Sequence, residues 1–468
     1  MEIIGGVTAV PFGLLVCRID GREIQITELG ENGVVFRTAG SLADGNGNHE
    51  IEVSFYHMAQ GRYETVRIGN EGKPPVITLE REERWYQVYS VAVDQEDYRR
   101  EVRELVLWYD RYIQLKCTCD DGELAGQLTG YPTELDEVYG ESLAEQKEKW
   151  FAAATADVLA DGREVMAAAD GMELALELDS PRWYNCYLKE DLVELTRKYW
   201  EVGGLGECTL AKRLPDRLYI GNQFCPLLFP NDKQLFQILE KAERDKITVT
   251  VVFSYMPESN VKWIKDLLDR LNTWCKNAGK KLEIVVNDLG MVALVAELEL
   301  KNLVLCMGTL LNRRRKDPRM AYKYGKKDLL KENSLNAEFY HQYVRNEWNI
   351  QRIEWESCGY EQNIGGKQDF GDGGAGGGSS LHLPYYQTNT SEYCTLYAIC
   401  ANGNRGKQNR VEHCPHYCET YAFLYPDHLR MVGKGNSLFA LDLQVLTNPE
   451  ILKTYQKQGV DRLVVHFL

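Results

Sequence analysis

Long hydrophobic runs are missing from this sequence of 468 residues. Its most apolar windows, such as "EIVVNDLGMVALVAELELKNLVLCMG" (residues 283–308), carry several charges and are too polar to span a bilayer. A basic-then-apolar opening is missing too. The chain begins MEIIGG, so no secretory signal is expected and a cytoplasmic location is. No G-x-G-x-x-G follows a strand-like run, which leaves a Rossmann dinucleotide site without support. The eight histidines form no H-E-x-x-H, and no Ser–His–Asp order stands out. Positive charge is in deficit: 54 Lys and Arg stand against 69 Asp and Glu, a formal charge of −15. That balance argues against non-specific nucleic-acid binding and leaves room for a local basic site.

What is present is ordinary for a folded chain, 44% hydrophobic and 26% charged. The length fits about two to four domains, each able to bury its own core. Thirteen cysteines, an odd number, point to a reducing compartment. Most are scattered, like Cys306 in "NLVLCMG", and read as small buried hydrophobes. Four are not. "CTLYAICANGNRGKQNRVEHCPHYC" places Cys394, Cys400, Cys414 and Cys418 as C-x(5)-C-x(13)-C-x(3)-C, with His413 and His416 inside the last spacing. The polar segment between them has almost nothing apolar to pack, so the thiols read as ligands of a metal or an iron–sulfur cluster. Zinc ribbons favour paired C-x(2)-C knuckles. The wider bites here favour a 4Fe–4S cluster, with zinc as the alternative.

Residues 1–118 carry short alternating segments, among them "GREIQITELG", "HEIEVSFYHMA" and "YQVYSVAV", the pattern of a small antiparallel β-barrel. Tyr98, Val102, Leu105, Trp108 and Ile113 then recur near helical spacing and predict an amphipathic helix. Residues 119–214 read as a helical connecting region. From 215 to 468, unbroken Val/Ile/Leu runs alternate with helical stretches, which predicts a TIM-like parallel β/α barrel and an α/β fold. Chemistry then belongs at the C-terminal ends of the strands. Asn287 and Asp288 end a strand there, and Asp288 is a candidate proton carrier or a helix N-cap. Asn312 and Arg313, in a run continuing through Lys316, are candidates for holding an anionic substrate. The glycine-dense stretch 365–380 reads as a loop.

Arg18-Ile-Asp-Gly-Arg22 and "ELGENGVVF" (Glu28–Phe36) resemble the two signatures of a PilZ-type domain. In that family two arginines fork onto cyclic di-GMP. Here the motifs are compressed and the motif serine is absent, so the resemblance implies the fold, and a protein partner for this domain, without nucleotide binding. Farther on, "RLYIGNQFC", "EIVVNDLGMVALVAE", "LCMGTLLNRRR", "IQRIEWESC" and the late cysteine loop, in this order, resemble the U32 peptidase family. Several of its members bind a 4Fe–4S cluster and support oxygen-independent hydroxylation of aromatic precursors or RNA bases. The resemblance implies Cys225, Cys414 and Cys418 as ligands, joined by Cys394 or Cys400. It implies a small aromatic or RNA substrate. A non-catalytic sensor or scaffold with a structural metal is the alternative reading, and a thiol peptidase the weaker one.

Overall fold

The computed structural model describes residues 14–42, 49–57, 62–69, 74–118, 143–152, 169–314, 331–358, 360, 362–364, 378–403, 407–425 and 430–468. The chain divides into two compact units, one of Met1–Thr133 with Arg319–Leu329, the other of Glu134–Pro318 with Leu330–Leu468.

The first unit is a seven-stranded antiparallel sheet. Its strands are β1 (Leu15–Ile19), β2 (Arg22–Gly30), β3 (Gly33–Thr38), β4 (Ile51–His57), β5 (Arg62–Ile68), β6 (Ile77–Glu82) and β7 (Gln87–Ala92). They lie in the order β5-β4-β1-β2-β3-β7-β6, and among the described residues the end strands β5 and β6 do not pair. The helix Glu96–Thr118 follows. Tyr98, Val102 and Leu105 enter a core with Phe36, Val53, Phe55 and Val91, whereas Trp108 is half-buried and Ile113 is exposed. The apolar stripe therefore packs over the first turns of the helix and ends there.

The arginines of the R-x-x-x-R motif flank a two-residue hairpin turn. Asp20 and Gly21 both take positive φ, 51° and 74°. An Asp-Gly pair makes such a turn at low cost. The register sets Arg18 opposite Glu23 and Arg22 opposite Ile19. Directly opposed residues share a face and neighbours along a strand alternate, so the two arginines point to opposite faces of the hairpin. They cannot fork onto one ligand. Calorimetry with cyclic di-GMP is expected to give no saturable heat. Micromolar binding abolished by Arg22→Ala would contradict this geometry.

The second unit holds a closed barrel of parallel strands. Its strands are β8 (Glu173–Leu178), β9 (Arg217–Gly221), β10 (Thr248–Val252), β11 (Leu282–Val286), β12 (Leu303–Met307), β13 (Arg352–Glu356) and β14 (Gly378–Thr390), and the ring closes through β18 (Val460–His466). β18 slots between β14 and β8. The barrel thus begins at Glu173, forty residues before the position expected from the sequence, and 169–214 is part of it rather than a connector. Leu174, Leu176 and Leu178 are buried, but Glu173 and Glu177 interrupt the run, so it does not read as a two-sided apolar strand.

Helices cover the outside. Asp232–Asp245 is typical: Leu235, Ile238, Leu239 and Ala242 recur every three or four residues and are all buried. The Asn231 side chain caps its start by accepting from the Gln234 N–H, and each of its large apolar side chains contributes about 1.5–3 kcal/mol by burial. β14 runs past the barrel rim. From Tyr385 on it pairs antiparallel with β17 (Ser437–Leu441), which continues through β16 (Met431–Lys434) to β15 (Phe423–Leu424). This arm stands at the C-terminal end of the barrel strands. No described helix is long and apolar enough to cross a membrane.

Candidate metal centre at the barrel mouth

Cys225 leaves β9 through a fixed turn. Gly221 has φ of 126°, and a side chain there would run into the Val252 carbonyl oxygen. Asn222 Oδ1 then accepts from the N–H groups of Phe224 and Cys225, both at 2.8 Å. Cys394 is the N-cap of the helix Thr395–Asn402, its Sγ accepting from the Tyr397 N–H at 3.3 Å. Cys414 Sγ accepts from the His416 N–H at 3.3 Å, and Cys418 lies on the short turn Tyr417–Glu419. Asn436 ties the segments together, its Nδ2 donating to the Phe224 and Ser391 carbonyls at 2.8 Å each.

Four thiols from widely separated stretches, Cys225, Cys394, Cys414 and Cys418, therefore line one pocket with Asn222, Phe224 and Phe439. Cys225 and Cys394 also face a second opening, beside Tyr255 and Arg410. Cys400 lines neither: the helix Thr395–Asn402 carries it away. His416 lines the first pocket but spends its Nε2 on the Leu227 carbonyl, 3.2 Å away.

Burial pushes the Cys225 thiol up to about 12, with Cys394 and Cys414 adding to the rise. Cys418 is raised by burial too and by Cys225, Cys394 and Cys414, against the pull of Lys434. Thiols that raise one another in this way become thiolates together only around a cation. The donor set, all sulfur with main-chain N–H groups already aimed at two of the atoms, fits a thiolate-bound metal group. Among the described residues the one set of three or more metal-ligating atoms within 4.8 Å of one another is His57, Glu101 and Glu104; no three of the thiols are that close.

That other set belongs to the first unit. His57 Nε2 lies 2.7 Å from Glu101 Oε2 and its Nδ1 lies 3.7 Å from Glu104 Oε1, an imidazole held between two carboxylates.

Below the thiols the barrel interior is charged. His382 Nδ1 lies 3.1 Å from Glu177 and its Nε2 2.8 Å from Glu354, all three buried. Burial alone would lower the His382 pKa. The hydrogen bonds to Glu177 and Glu354 outweigh it and lift the ring to about 10. Tyr219 OH donates to Glu354 at 3.1 Å and accepts from Arg462 Nη1 at 2.8 Å. Arg462 also binds Glu173 and Glu283, at 2.5 and 2.7 Å. Toward the mouth, Gln223 Nε2 donates to Glu177 at 3.4 Å, and His466 Nε2 lies 3.4 Å from Asp179, which borders the thiol pocket. Histidines and carboxylates from β8, β13, β14 and β18 thus form one network, in which the strand-end rule points to Glu354 and Gln223 and the sequence gives no sign of Glu177, His382 or His466. Single buried polar residues in separate strands give no local signal.

The other sequence candidates have scaffold roles. Both Asp288 carboxylate oxygens accept main-chain N–H groups, from Met291 at 2.9 Å and Met256 at 2.6 Å, so it is a helix cap. Asn287 donates to the Phe253 carbonyl and accepts from the Leu310 N–H, with Gly308 close against its amide. Asn312 is buried and accepts from Ser334, and Arg313 points to solvent. The inward arginine is Arg314, whose guanidinium donates to Cys358 Sγ at 2.5 Å and to the Glu356 carbonyl at 2.7 Å. Arg315, Lys316 and residues 365–377 lie outside the described residues.

No family model and no curated protein matches the chain. Among solved structures, an uncharacterized protein from Legionella is similar at 17% identity, over 23% of this chain and 94% of its own, with a TM-score of 0.15. At that score the likeness carries no argument about fold or function.

Proposed function

We propose that Cys225, Cys394, Cys414 and Cys418 carry a 4Fe–4S cluster at the barrel mouth, and that the second unit is an enzyme modifying an aromatic or RNA substrate without oxygen. The observation that carries this reading is the meeting of four thiols from three stretches of chain at one pocket at the C-terminal end of the strands. The reaction class follows from the resemblance to U32 proteins. A bound cluster supplies one-electron chemistry. This chain's own residues fix the loops that present the thiols, through Asn222 and Asn436, and wall the pocket with Phe224, Phe439 and Phe467. Among the described residues no thiol hydrogen-bonds a histidine ring, which speaks against the peptidase reading.

The scaffold reading has one observation in its favour. The edge strand β6 and its flanks leave Val76, Leu79 and Trp85 exposed, a surface a protein partner would cover.

Protein purified without oxygen is expected to contain iron and sulfide in about equal amounts, near four of each per chain. One zinc per chain with no sulfide would overturn the cluster and remove the main support for the hydroxylase reading.

A further inference from the structure

Beside the thiol pocket lies a second depression lined by Lys147, Phe151, Arg182, Cys418 and Lys434. Arg182, Cys418 and Lys434 line both, so the two adjoin. We propose that Lys147, Arg182 and Lys434 bind the anionic group, a phosphate or a carboxylate, of a small molecule whose apolar body lies in the thiol pocket.

The three cations come from different elements: Lys147 from the helical residues 143–152, Arg182 from the helix Pro181–Lys189 and Lys434 from β16. They are graded in depth, Lys147 buried, Lys434 half-buried and Arg182 exposed. Lys147 Nζ donates to an oxygen of Leu468, the last residue of the sequence, at 2.5 Å. Burial, then Lys434 and Arg182, bring Lys147 down to about 7. Among the described residues none of the three lies within 4 Å of an Asp or Glu carboxylate. Glu148, Glu201 and Glu419 also line the depression. Glu201 is taken by Arg197, and Glu419 accepts the Arg182 main-chain N–H at 2.8 Å. A cluster of like charges, one of them desolvated, is costly until an anion joins it. Arg182 and Lys434 then supply charge-assisted hydrogen bonds from the walls.

The thiol pocket fits an apolar body. Leu396, Phe439 and Phe467 line it, and Phe467 is held between Tyr199 and Trp200. A nucleic-acid strand fits less well. The cations form one dent rather than a track, the rim carboxylates would repel successive phosphates, and the chain carries −15 overall. The position of this site beside a reaction centre rests on the cluster reading. Anion binding itself does not.

The test is calorimetry on the full chain, prepared without oxygen, with phenyl phosphate, benzoate, inorganic phosphate and a short single-stranded RNA as probes. Phenyl phosphate or benzoate is expected to bind saturably, and the tighter of the two identifies the anionic group. Inorganic phosphate, lacking the apolar body, is expected to bind more weakly. Arg182→Gln, at an exposed position, and Lys147→Met should each weaken binding about tenfold or more while iron and sulfide stay at the wild-type level. The proposal falls if neither aromatic probe binds up to about 10 mM, if both variants bind as the parent does, or if RNA alone binds. Metal content measured on the same samples keeps the two ideas apart. Anion binding without iron sinks the cluster, and iron without anion binding sinks this site.

Discussion

Cys414→Ser is expected to abolish the visible absorption of the anaerobically prepared protein and to remove most of its iron. Cys394→Ser should do the same, and Cys400→Ser should not. Cys394 lines the pocket with Cys225, Cys414 and Cys418, while Cys400 stands off on its helix. Cys306→Ser is the control. That thiol is fully buried in the barrel core with Tyr219, Val252 and Val285, away from the thiol pocket, and its replacement should leave metal content intact at a modest cost in stability. Serine is the right substitution because it keeps the volume and removes the soft ligand. The expectation about Cys394 and Cys400 is the sharper half. Iron retained in Cys394→Ser and lost in Cys400→Ser would mean that the ligating set is not the one the pocket brings together.

His382→Gln is expected to destabilise the barrel unit by about 3–5 kcal/mol, the cost of removing one partner from a buried ionic network. It leaves Glu177 and Glu354 buried with their shared imidazole gone. The pH dependence gives a signature that simple loss of packing would not. His382 is lifted from the ordinary 6.5 to about 10. Its contribution is therefore complete below pH 6.5 and is lost as pH rises through 10. Glu177 is pulled below the ordinary 4.5 by His466 and His382 against burial, so its contribution is present above 4.5 and is lost as pH falls. Denaturant unfolding of parent and variant across pH 5 to 10 should show the gap between them shrinking toward the alkaline end. A gap that stays constant would mean that His382 is neutral in the folded protein.

The strands β9 to β12 were legible because each is rich in Val, Ile or Leu and is followed by a helical stretch; β13, RIEWE, alternates charged and apolar residues instead. β8 was not legible, because its inward positions are Glu173 and Glu177, and the same charges that hide the strand build the interior network. The spacing of the late cysteines could not decide between Cys394 and Cys400, since the choice depends on where a helix begins. Cys394 caps it and stays with the pocket; Cys400, most of two turns on, is turned away. The sequence already argued against nucleotide binding at Arg18 and Arg22, and the turn between them adds a physical reason. Asp20-Gly21 is a hairpin-turn pair, and a two-residue turn fixes which faces the flanking side chains take.

The place of β18 between β14 and β8 also bears on how the molecule is made. Strands leave the ribosome in chain order, and β8 emerges early in the barrel unit while its neighbour β18 emerges last of the barrel strands. Until Val460–His466 arrives, the nascent sheet carries two unpaired parallel edges, β8 and β14, separated by the whole set of intervening strands. Open edges of that kind recruit strands from other chains. During synthesis, the period of greatest aggregation risk therefore runs from the completion of β14 to the arrival of β18, and the four thiols are all exposed to oxidants within it.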